Sequence, residues 1–310
     1  MTALEDTLAD YLALRRRLGH KLAETERQLD RFVTYLDDVG AATVTMDTAL
    51  AFVLDPDLDP TSSVPVKRLQ AVRGFARHLA AIDPATEVPP AGIVSYRARR
   101  REPHLFTDGE ITALMAAPAG SARTPTRAAM LATMIGLLAV TGMRVGEAIR
   151  LERADVDWDE AVITIRATKF NKSRHVPVAG GAIDELVAYM EIRDQAHPRP
   201  VAPNVFISDN GTAVTYSHFC LTFRRAIDSA GIGDPSRARR PRVHDLRHGF
   251  AVRTLVGWHR DGLDVAALLP RLSTYLGHRE PRYTYRYLTA TPELLGLAVA
   301  MLEADAAVLR

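Results

Sequence analysis

Apolar residues recur every three or four positions through the first 82 residues, which predicts a unit of four amphipathic helices. The third helix is the shortest and covers about 46–54, and the proline-containing segment 55–65 is predicted to be a loop. The apolar positions of the other three helices are Leu4, Leu8 and Leu12, then Leu22, Leu29, Phe32, Val33 and Leu36, then Val66, Leu69, Val72, Phe75 and Leu79. Four such helices can bury a common core as a bundle.

A second periodic region begins at Thr107, where the sequence Thr-Asp-Gly-Glu is typical of a helix N-terminus with a capping box. A long apolar helix is predicted to end near Val140, because Thr141 and Gly142 interrupt the pattern. A short helix is predicted to follow over 145–151. Helices therefore also dominate the start of this second region.

Strand signals occur in the middle of the chain. β-Branched residues over 161–166 and an alternating pattern over 174–178 predict the two strands of a hairpin. A third short strand is predicted over 204–208, before an Asn-Gly turn. The sequence after about residue 216 is predicted to be helical, and no glycine-rich nucleotide loop occurs. The predicted fold class is mainly α with a small antiparallel β-sheet.

A change of composition separates the two regions. Four prolines and four arginines fall within residues 84–103, which is typical of an interdomain linker, either simply solvated or lying along phosphate groups. A length of 310 residues also suits more than one domain. We predict a helical domain over 1–90, a linker over 91–104, a second domain over 105–290 and a terminal apolar helix over 291–310.

The composition is that of a soluble globular protein, since 47% hydrophobic and 25% charged residues exclude global disorder, collagen and coiled coil. The single cysteine, Cys220, excludes a disulfide within the chain and a cysteine metal cage. The N-terminal sequence lacks the basic and apolar segments of a secretory signal. The longest apolar stretch is too short to cross a bilayer, so we expect a cytoplasmic protein with no membrane partner.

The charge is unevenly distributed. The formal net charge of +2 by itself argues against nucleic acid as a partner. However, residues 235–260 contain seven arginines and one acid, and the hairpin turn adds Lys169, Lys172 and Arg174 without an acid. If these segments fold together, they form a surface that binds phosphate groups.

Four short segments carry residues suited to phosphate chemistry. They are Thr141-Gly-Met-Arg144 with Glu147, the hairpin turn with Lys169, His244-Asp-Leu-Arg247-His248, and Leu276-Gly-His278 followed nine residues later by Tyr287. Taken alone, Arg144 and Glu147 could form an ordinary surface ion pair, and a late tyrosine usually packs its ring. His244 and His248 have the spacing of zinc ligands, but Arg247 on the same helix face opposes a cation, so no metal site is predicted.

In this order, the four segments resemble the motifs of the tyrosine recombinase (phage integrase) family over about residues 105–290. The resemblance implies a catalytic domain of that family behind a helical, SAM-like core-binding domain, and an enzyme that cleaves and rejoins DNA without metal, ATP or another cofactor. Tyr287 would be the nucleophile that forms a 3′-phosphotyrosine, and Lys169 would be the general acid for the leaving 5′-oxygen. Arg144 and Arg247 would clamp the phosphate. The other implied site residues are His244 and His278, which would hydrogen-bond the phosphate or assist proton transfer, and Glu147 and His248, which would support the others.

Some of these assignments have competitors. Lys172 could replace Lys169 as the acid, and Tyr283 or Tyr285 could replace Tyr287, although the motif spacing favours Lys169 and Tyr287. The candidate DNA contacts are Lys67, Arg68, Arg73 and Arg77 in the first domain and Lys172, Arg174, Arg239, Arg240 and Arg242 in the second. Which side chains would read bases is not assigned.

The resemblance also implies partners. These are double-stranded DNA and either further copies of the chain or related recombinases, assembled as a tetramer on two DNA sites. The terminal helix 291–310 would dock onto a neighbouring protomer, with folding back onto its own domain as the alternative. The tail from Tyr285 resembles transposon- and island-borne members, which implies integration, excision or transposition of a mobile element. A catalytically silent DNA-binding subunit and a topoisomerase IB-like enzyme that relaxes DNA are the alternative functions.

Overall fold

The computed structural model describes residues 2–20, 22–55, 62–94, 103–120, 122–166, 173–233, 240–278, 280–285, 287–288 and 296. The chain divides into two compact units, Met1–Arg101 and Glu102–Arg310. Lys169, Lys172, Arg239 and, apart from residue 296, the predicted terminal helix 291–310 lie outside the described residues.

The first unit is the predicted set of four helices. They are α1 (Ala3–Arg17), α2 (Ala23–Asp38), α3 (Met46–Val53) and α4 (Val64–Leu79). Their apolar faces meet in one core in which Leu29, Phe32, Val72 and Phe75 are completely buried. The predicted loop was too long at its end, because Pro65 lies in the first turn of α4. A proline fits there because the first helical N–H groups have no partner within the helix.

The second unit contains eight α-helices in the part that the structure describes. They are α5 (Asp108–Ala116), α6 (Pro125–Thr141), α7 (Val145–Ile149), α8 (Gly180–Ala196), α9 (Tyr216–Ser229), α10 (Val243–Arg260), α11 (Val265–Leu276) and α12 (Arg282–Tyr285). The predicted capping box is confirmed, since the Thr107 N–H donates to Glu110 Oε2 at 2.8 Å and the Glu110 N–H donates to Thr107 Oγ1 at 3.1 Å. Among the described residues, no helix combines the length and the apolar character needed to cross a membrane.

A small antiparallel sheet packs against these helices. Its strands are β1 (Val156–Asp157), β2 (Val162–Ile165) and β3 (Arg174–Pro177), in the order β1-β2-β3. Ile163 pairs with Val176 and Ile165 pairs with Arg174, so the predicted hairpin is confirmed.

The predicted third strand over 204–208 is wrong. Its residues form only isolated bridges, and the third strand of the sheet is instead the two-residue β1. Val205, Phe206 and Ile207 are buried in succession rather than on alternate sides, because this segment inserts into the core. A continuous apolar run is compatible with either role, so the pattern alone did not decide between them.

Two hydrophobic cores of the second unit meet along α10. The larger core contains Met134, Ile135 and Leu138 of α6 together with Leu246 of α10. The smaller one joins the later residues of α10, among them Leu255, to α11. Both ends of α10 are thereby fixed, which holds its N-terminal face in a defined orientation.

Candidate active site

Arg144 and Glu147 form a close pair at the start of α7. The Arg144 N–H donates to Glu147 Oε2 at 2.9 Å, and Arg144 Nη1 donates to Oε1 at 2.8 Å. The Glu147 side chain is 4% exposed, whereas that of Arg144 is 39% exposed. The carboxylate therefore holds the guanidinium from the protein side and leaves it open toward solvent.

Arg174 binds the same carboxylate from the other side. Its Nη1 donates to Glu147 Oε1 at 3.0 Å, its Nη2 donates to Oε2 at 2.7 Å, and its Nε donates to the Tyr275 carbonyl at 2.8 Å. The side chain is only 11% exposed. Arg174 was predicted to contact DNA, but the structure places all three of its nitrogen donor groups on protein acceptors.

The two arginines keep Glu147 ionised. Burial raises the pKa of its carboxyl group, but the hydrogen bonds and charge of Arg174, with the backbone and side chain of Arg144, outweigh burial and lower the pKa to about 2. A buried carboxylate in this state is a permanent negative charge between two cations.

The depressed pKa of Glu147 predicts a specific dependence of stability on pH. Its ionised form stabilises the folded state above its unfolded pKa of 4.5, and this contribution is lost as the pH falls toward 2. The difference in free energy of unfolding between the wild type and Glu147→Gln should shrink by on the order of 2 kcal/mol between about pH 6 and about pH 3. Urea unfolding followed by the fluorescence of Trp158 and Trp258, both in the second unit, measures it. A constant difference would contradict the assignment.

Arg247 is a buried cation at the start of α10. Its Nη1 donates to the Gly142 carbonyl and its Nη2 to the Leu276 carbonyl, both at 2.7 Å, and the residue is 3% exposed. Burial, and then the neighbouring charge of Arg144, lower the pKa of Arg247 to about 10. The group therefore stays charged at neutral pH and lies close enough to Arg144 for the two to concentrate positive charge at one place.

Histidine rings surround Tyr287. Its ring centroid lies 5.3 Å from that of His248 and 6.1 Å from that of His278. His244 meets His248 edge to face at 4.9 Å, and His278 Nδ1 hydrogen-bonds Thr284 Oγ1 at 2.8 Å. Tyr287 is 1% exposed. The structure thus packs the predicted tyrosine against His248 and His278, with His244 in contact with His248 and Arg247 next to His248 in α10.

The competing tyrosines occupy a different environment. Tyr283 is 42% exposed and Tyr285 is 50% exposed, and of the two only Tyr283 has a described ring contact with His278, at 6.4 Å. Their exposure sets them apart from Tyr287, which is enclosed among the candidate catalytic groups.

The cations of the first unit divide into a surface set and a buried one. Lys67, Arg73 and Arg77 line a groove of about 550 Å³ between α1, α2 and α4, together with Arg15 of α1. Arg73 Nε also donates to the Pro89 carbonyl at 2.6 Å. This groove therefore brings four cations of the first unit together, with Glu24 also in its lining.

Arg68 does not belong to that surface. It is 7% exposed, donates to the Phe52 carbonyl at 2.7 Å and to Asp55 at 3.2 Å, and lies over the Phe52 ring at 4.7 Å. The structure therefore removes Arg68 from the candidate DNA contacts. The sequence did contain a signal for this burial. Arg68 lies four residues before Val72 and seven before Phe75, which places it on the apolar face of α4.

The other predicted contacts in the second unit lie near the start of α10. Arg240 is exposed and pairs with Asp228 at 3.2 Å. Arg242 precedes α10, and its N–H donates to Asp245 Oδ2 at 2.9 Å. Asp245 was not among the predicted site residues. It is 2% exposed, and it belongs to the capping box at the N-terminus of α10, the helix that carries His244 and Arg247. The signal was its position as the one acid in an arginine-rich segment at a helix start.

Comparison with known proteins bears on these motifs. The sequence model of the phage integrase family matches residues 105–293 of this chain. A protein of Sinorhizobium fredii that carries the name integrase/recombinase y4rB is 38% identical over 308 residues, which are 98% of this chain and 98% of that protein. The match confirms the resemblance that the four motifs indicate.

Solved structures share the fold at low identity. The Tn1549 transposon integrase in complex with transposon right end DNA has a TM-score of 0.65 at 16% identity, covering 97% of this chain and 99% of its own. The lambda integrase tetramer bound to a Holliday junction also has a TM-score of 0.65, at 14% identity, covering 92% of this chain and 76% of its own. These likenesses, with the observed helices and three-stranded sheet, confirm the predicted fold class.

Proposed function

Because the chain belongs to the phage integrase family of tyrosine recombinases, we propose that it is a site-specific DNA recombinase that acts through a covalent tyrosine intermediate. The observation that carries the proposal is the burial of Tyr287 against the rings of His248 and His278, with Arg247 next to His248 in α10. Arg144 lies beside Arg247, because the two donate to the adjacent carbonyls of Gly277 and Leu276. A nucleophile, proton carriers and two cations are the groups that metal-independent phosphoryl transfer requires.

The proposed reaction exchanges one phosphodiester for another. The Tyr287 oxygen bonds to the scissile phosphorus and gives up its proton, while the bond from phosphorus to the 5′-oxygen breaks. The products are a 3′-phosphotyrosine and, after the leaving oxygen gains a proton, a 5′-hydroxyl end. Because the phosphoester bond is kept on the protein, attack by another 5′-hydroxyl can rejoin DNA without a nucleotide cofactor.

The candidate catalytic side chains have different roles in the proposed reaction. Arg144 and Arg247 neutralise charge on the non-bridging oxygens, for which the forked donors of a guanidinium are well suited. His244 and His278 hydrogen-bond the phosphate or assist proton transfer from Tyr287. Glu147 and His248 support these groups, which agrees with the burial of Glu147 beneath Arg144 and the ring contact of His248 with Tyr287.

Lys169 is proposed as the general acid, and this role predicts a chemical rescue. Lys169→Ala should slow cleavage of ordinary DNA by about 10²-fold or more, because the 5′-oxygen would leave without a proton. A substrate with sulfur at the 5′-bridging position should restore the rate, since a thiolate leaves unprotonated. Single-turnover cleavage of both substrates measures the effect, and Lys172→Ala is the matched control. Rescue of Lys172→Ala instead of Lys169→Ala would transfer the role to Lys172.

We propose double-stranded DNA and further recombinase subunits as the partners. The groove with Lys67, Arg73 and Arg77 supports a contact of the first unit with the DNA backbone. A tetramer on two DNA sites, with the segment 291–310 docked in trans, is proposed because strand exchange joins two duplexes, and one solved relative is a tetramer on a Holliday junction. Likeness to a transposon integrase supports a mobile element as the substrate, with the cytoplasm as the proposed location.

Covalent trapping tests the proposed function. Selection of bound duplexes from a random library gives the site, and a nicked version of that site lets the short fragment with the new 5′-hydroxyl end diffuse away after cleavage. The expected result is a complex of protein and labelled DNA that survives denaturation. Tight binding without any adduct would overturn the enzyme proposal and favour the silent subunit. Relaxation of supercoiled plasmid that lacks the selected site would favour the topoisomerase-like alternative.

A further inference from the structure

Three successive backbone carbonyls at the end of α11 each accept a hydrogen bond from a different arginine. The pairs are Tyr275 with Arg174 Nε at 2.8 Å, Leu276 with Arg247 Nη2 at 2.7 Å, and Gly277 with Arg144 Nη2 at 2.8 Å. The last carbonyls of a helix lack partners within it and carry the negative end of the helix dipole. The end of α11 is therefore a common anchor for the two proposed phosphate clamps and for Arg174.

Arg174, like Arg144, connects the end of α11 to the carboxylate of Glu147. Through Nη1 and Nη2 it binds both oxygens of Glu147, which also holds Arg144. Through Nε it binds the end of α11, which also holds Arg144 and Arg247. Arg144 binds Glu147 and the Gly277 carbonyl directly, and Arg174 holds the same carboxylate and the same end of α11 from a less exposed position.

The backbone conformation at Gly277 and its lack of a side chain allow these arginines to approach the end of α11. Gly277 ends α11 with a positive φ of 68°, a conformation that residues with a side chain rarely adopt. A Cβ atom at this position would lie 2.9 Å from Arg174 Nη1 and 3.4 Å from Arg144 Nη1. A side chain at position 277 would therefore collide with the Arg174 guanidinium and crowd that of Arg144.

We propose that Arg174 is a positioning residue for DNA cleavage, which ties Glu147 and the end of α11 together so that Arg144 and Arg247 face one phosphate. The inference rests on the proposed function. Arg174 also begins β3, five residues after Lys169, so its anchor fixes the place at which the Lys169 segment rejoins the sheet. This role is proposed in place of the predicted DNA contact, because the Arg174 side chain is 11% exposed and hydrogen bonds from all three of its nitrogens hold it against Glu147 and Tyr275.

The experiment separates the rate of cleavage from the affinity for DNA. Arg174→Ala should lower the rate of adduct formation at saturating nicked DNA by about 10²-fold, because small displacements of clamping groups cost that much. Its Kd, and the slope of log Kd against log salt, should stay as in the wild type, because no phosphate contact is lost. Arg174→Lys should remain about 10-fold or more below the wild type, since an ammonium group cannot bridge both oxygens of Glu147.

Arg166 supplies the matched control. It flanks the other side of the same hairpin and pairs through Nε with the buried Asp155 at 2.5 Å, away from the three carbonyls. Arg166→Ala should cleave within about twofold of the wild type. Arg174→Ala combined with Glu147→Gln should be no slower than the slower single variant, because both changes break one connection.

Several outcomes would overturn the proposal. Weaker binding of Arg174→Ala, with a salt slope lower by about 1 and a normal rate at saturation, would make Arg174 a DNA contact. Additive rate losses in the double variant would show that Arg174 does not act through Glu147. If Arg174→Ala does not fold, Arg174→Lys decides the question, and a wild-type rate for it contradicts the proposal. Failure of the wild type itself to form an adduct would instead reject the proposed function.

Discussion

Tyr287→Phe is expected to abolish the covalent complex with nicked DNA. The substitution removes only the phenolic oxygen, which is the atom that would bond to phosphorus, so no slower route to the adduct is left. The ring that packs against His248 and His278 is retained, and the buried core around it keeps its volume. Loss of the adduct with unchanged DNA affinity is therefore expected, measured by denaturing electrophoresis and by equilibrium binding.

The neighbouring tyrosines are the controls for this result. Tyr283→Phe and Tyr285→Phe remove the same atom from side chains that are 42% and 50% exposed, and both variants should form the adduct as the wild type does. An adduct that persists in Tyr287→Phe and disappears in either control would move the nucleophile. Because Tyr287 is 1% exposed, the proposed attack requires a rearrangement that exposes the Tyr287 hydroxyl to the DNA. A comparison of binding and cleavage rates will reveal that step.

Helical periodicity located most of the fold, and its failures have local causes. The four helices of the first unit were predicted because their apolar residues share one face. Helix α8 was missed because Gly180 and Gly181 open it and suggest a loop, although Ile183, Leu186 and Met190 are buried on one face. Strand β1 has two residues, which is too short for an alternating pattern to appear.

For the candidate site, the order of the motifs selected residues but did not show the contacts that those residues make. Arg144, Arg247 and Tyr287 were selected by their motifs, and the structure places the two arginines at the end of α11 and the tyrosine against His248 and His278. Arg174 was classed as a DNA contact because a sequence displays a charge but not its partner, and Glu147 lies 27 residues away along the chain. The acceptors of the arginines at the end of α11 are backbone carbonyls, which every sequence contains and no motif marks.

Arg247→Ala is expected to slow cleavage at saturating DNA by on the order of 10³-fold or more, the usual loss when a charged group that stabilises a phosphoryl-transfer transition state is removed. The loss corresponds to about 4 kcal/mol of activation free energy. Arg247→Lys should recover little of it, because a single ammonium group cannot reach both the Gly142 and Leu276 carbonyls and the phosphate. Single-turnover cleavage of the nicked site measures both variants.

Arg253 separates the chemical role of Arg247 from its structural one. It lies on the same helix, its pKa is also lowered by burial, and it also donates to two backbone carbonyls, those of Phe106 at 3.4 Å and Ala139 at 3.0 Å. Both alanine variants should therefore lose stability toward urea, while Arg253→Ala should cleave saturating DNA within a few-fold of the wild type, at about the scale of an ordinary substitution away from the site. If the cleavage rates of the two variants fell equally, Arg247 would act by holding α10 to α6 and α11. Arg144 alone would then be the phosphate clamp.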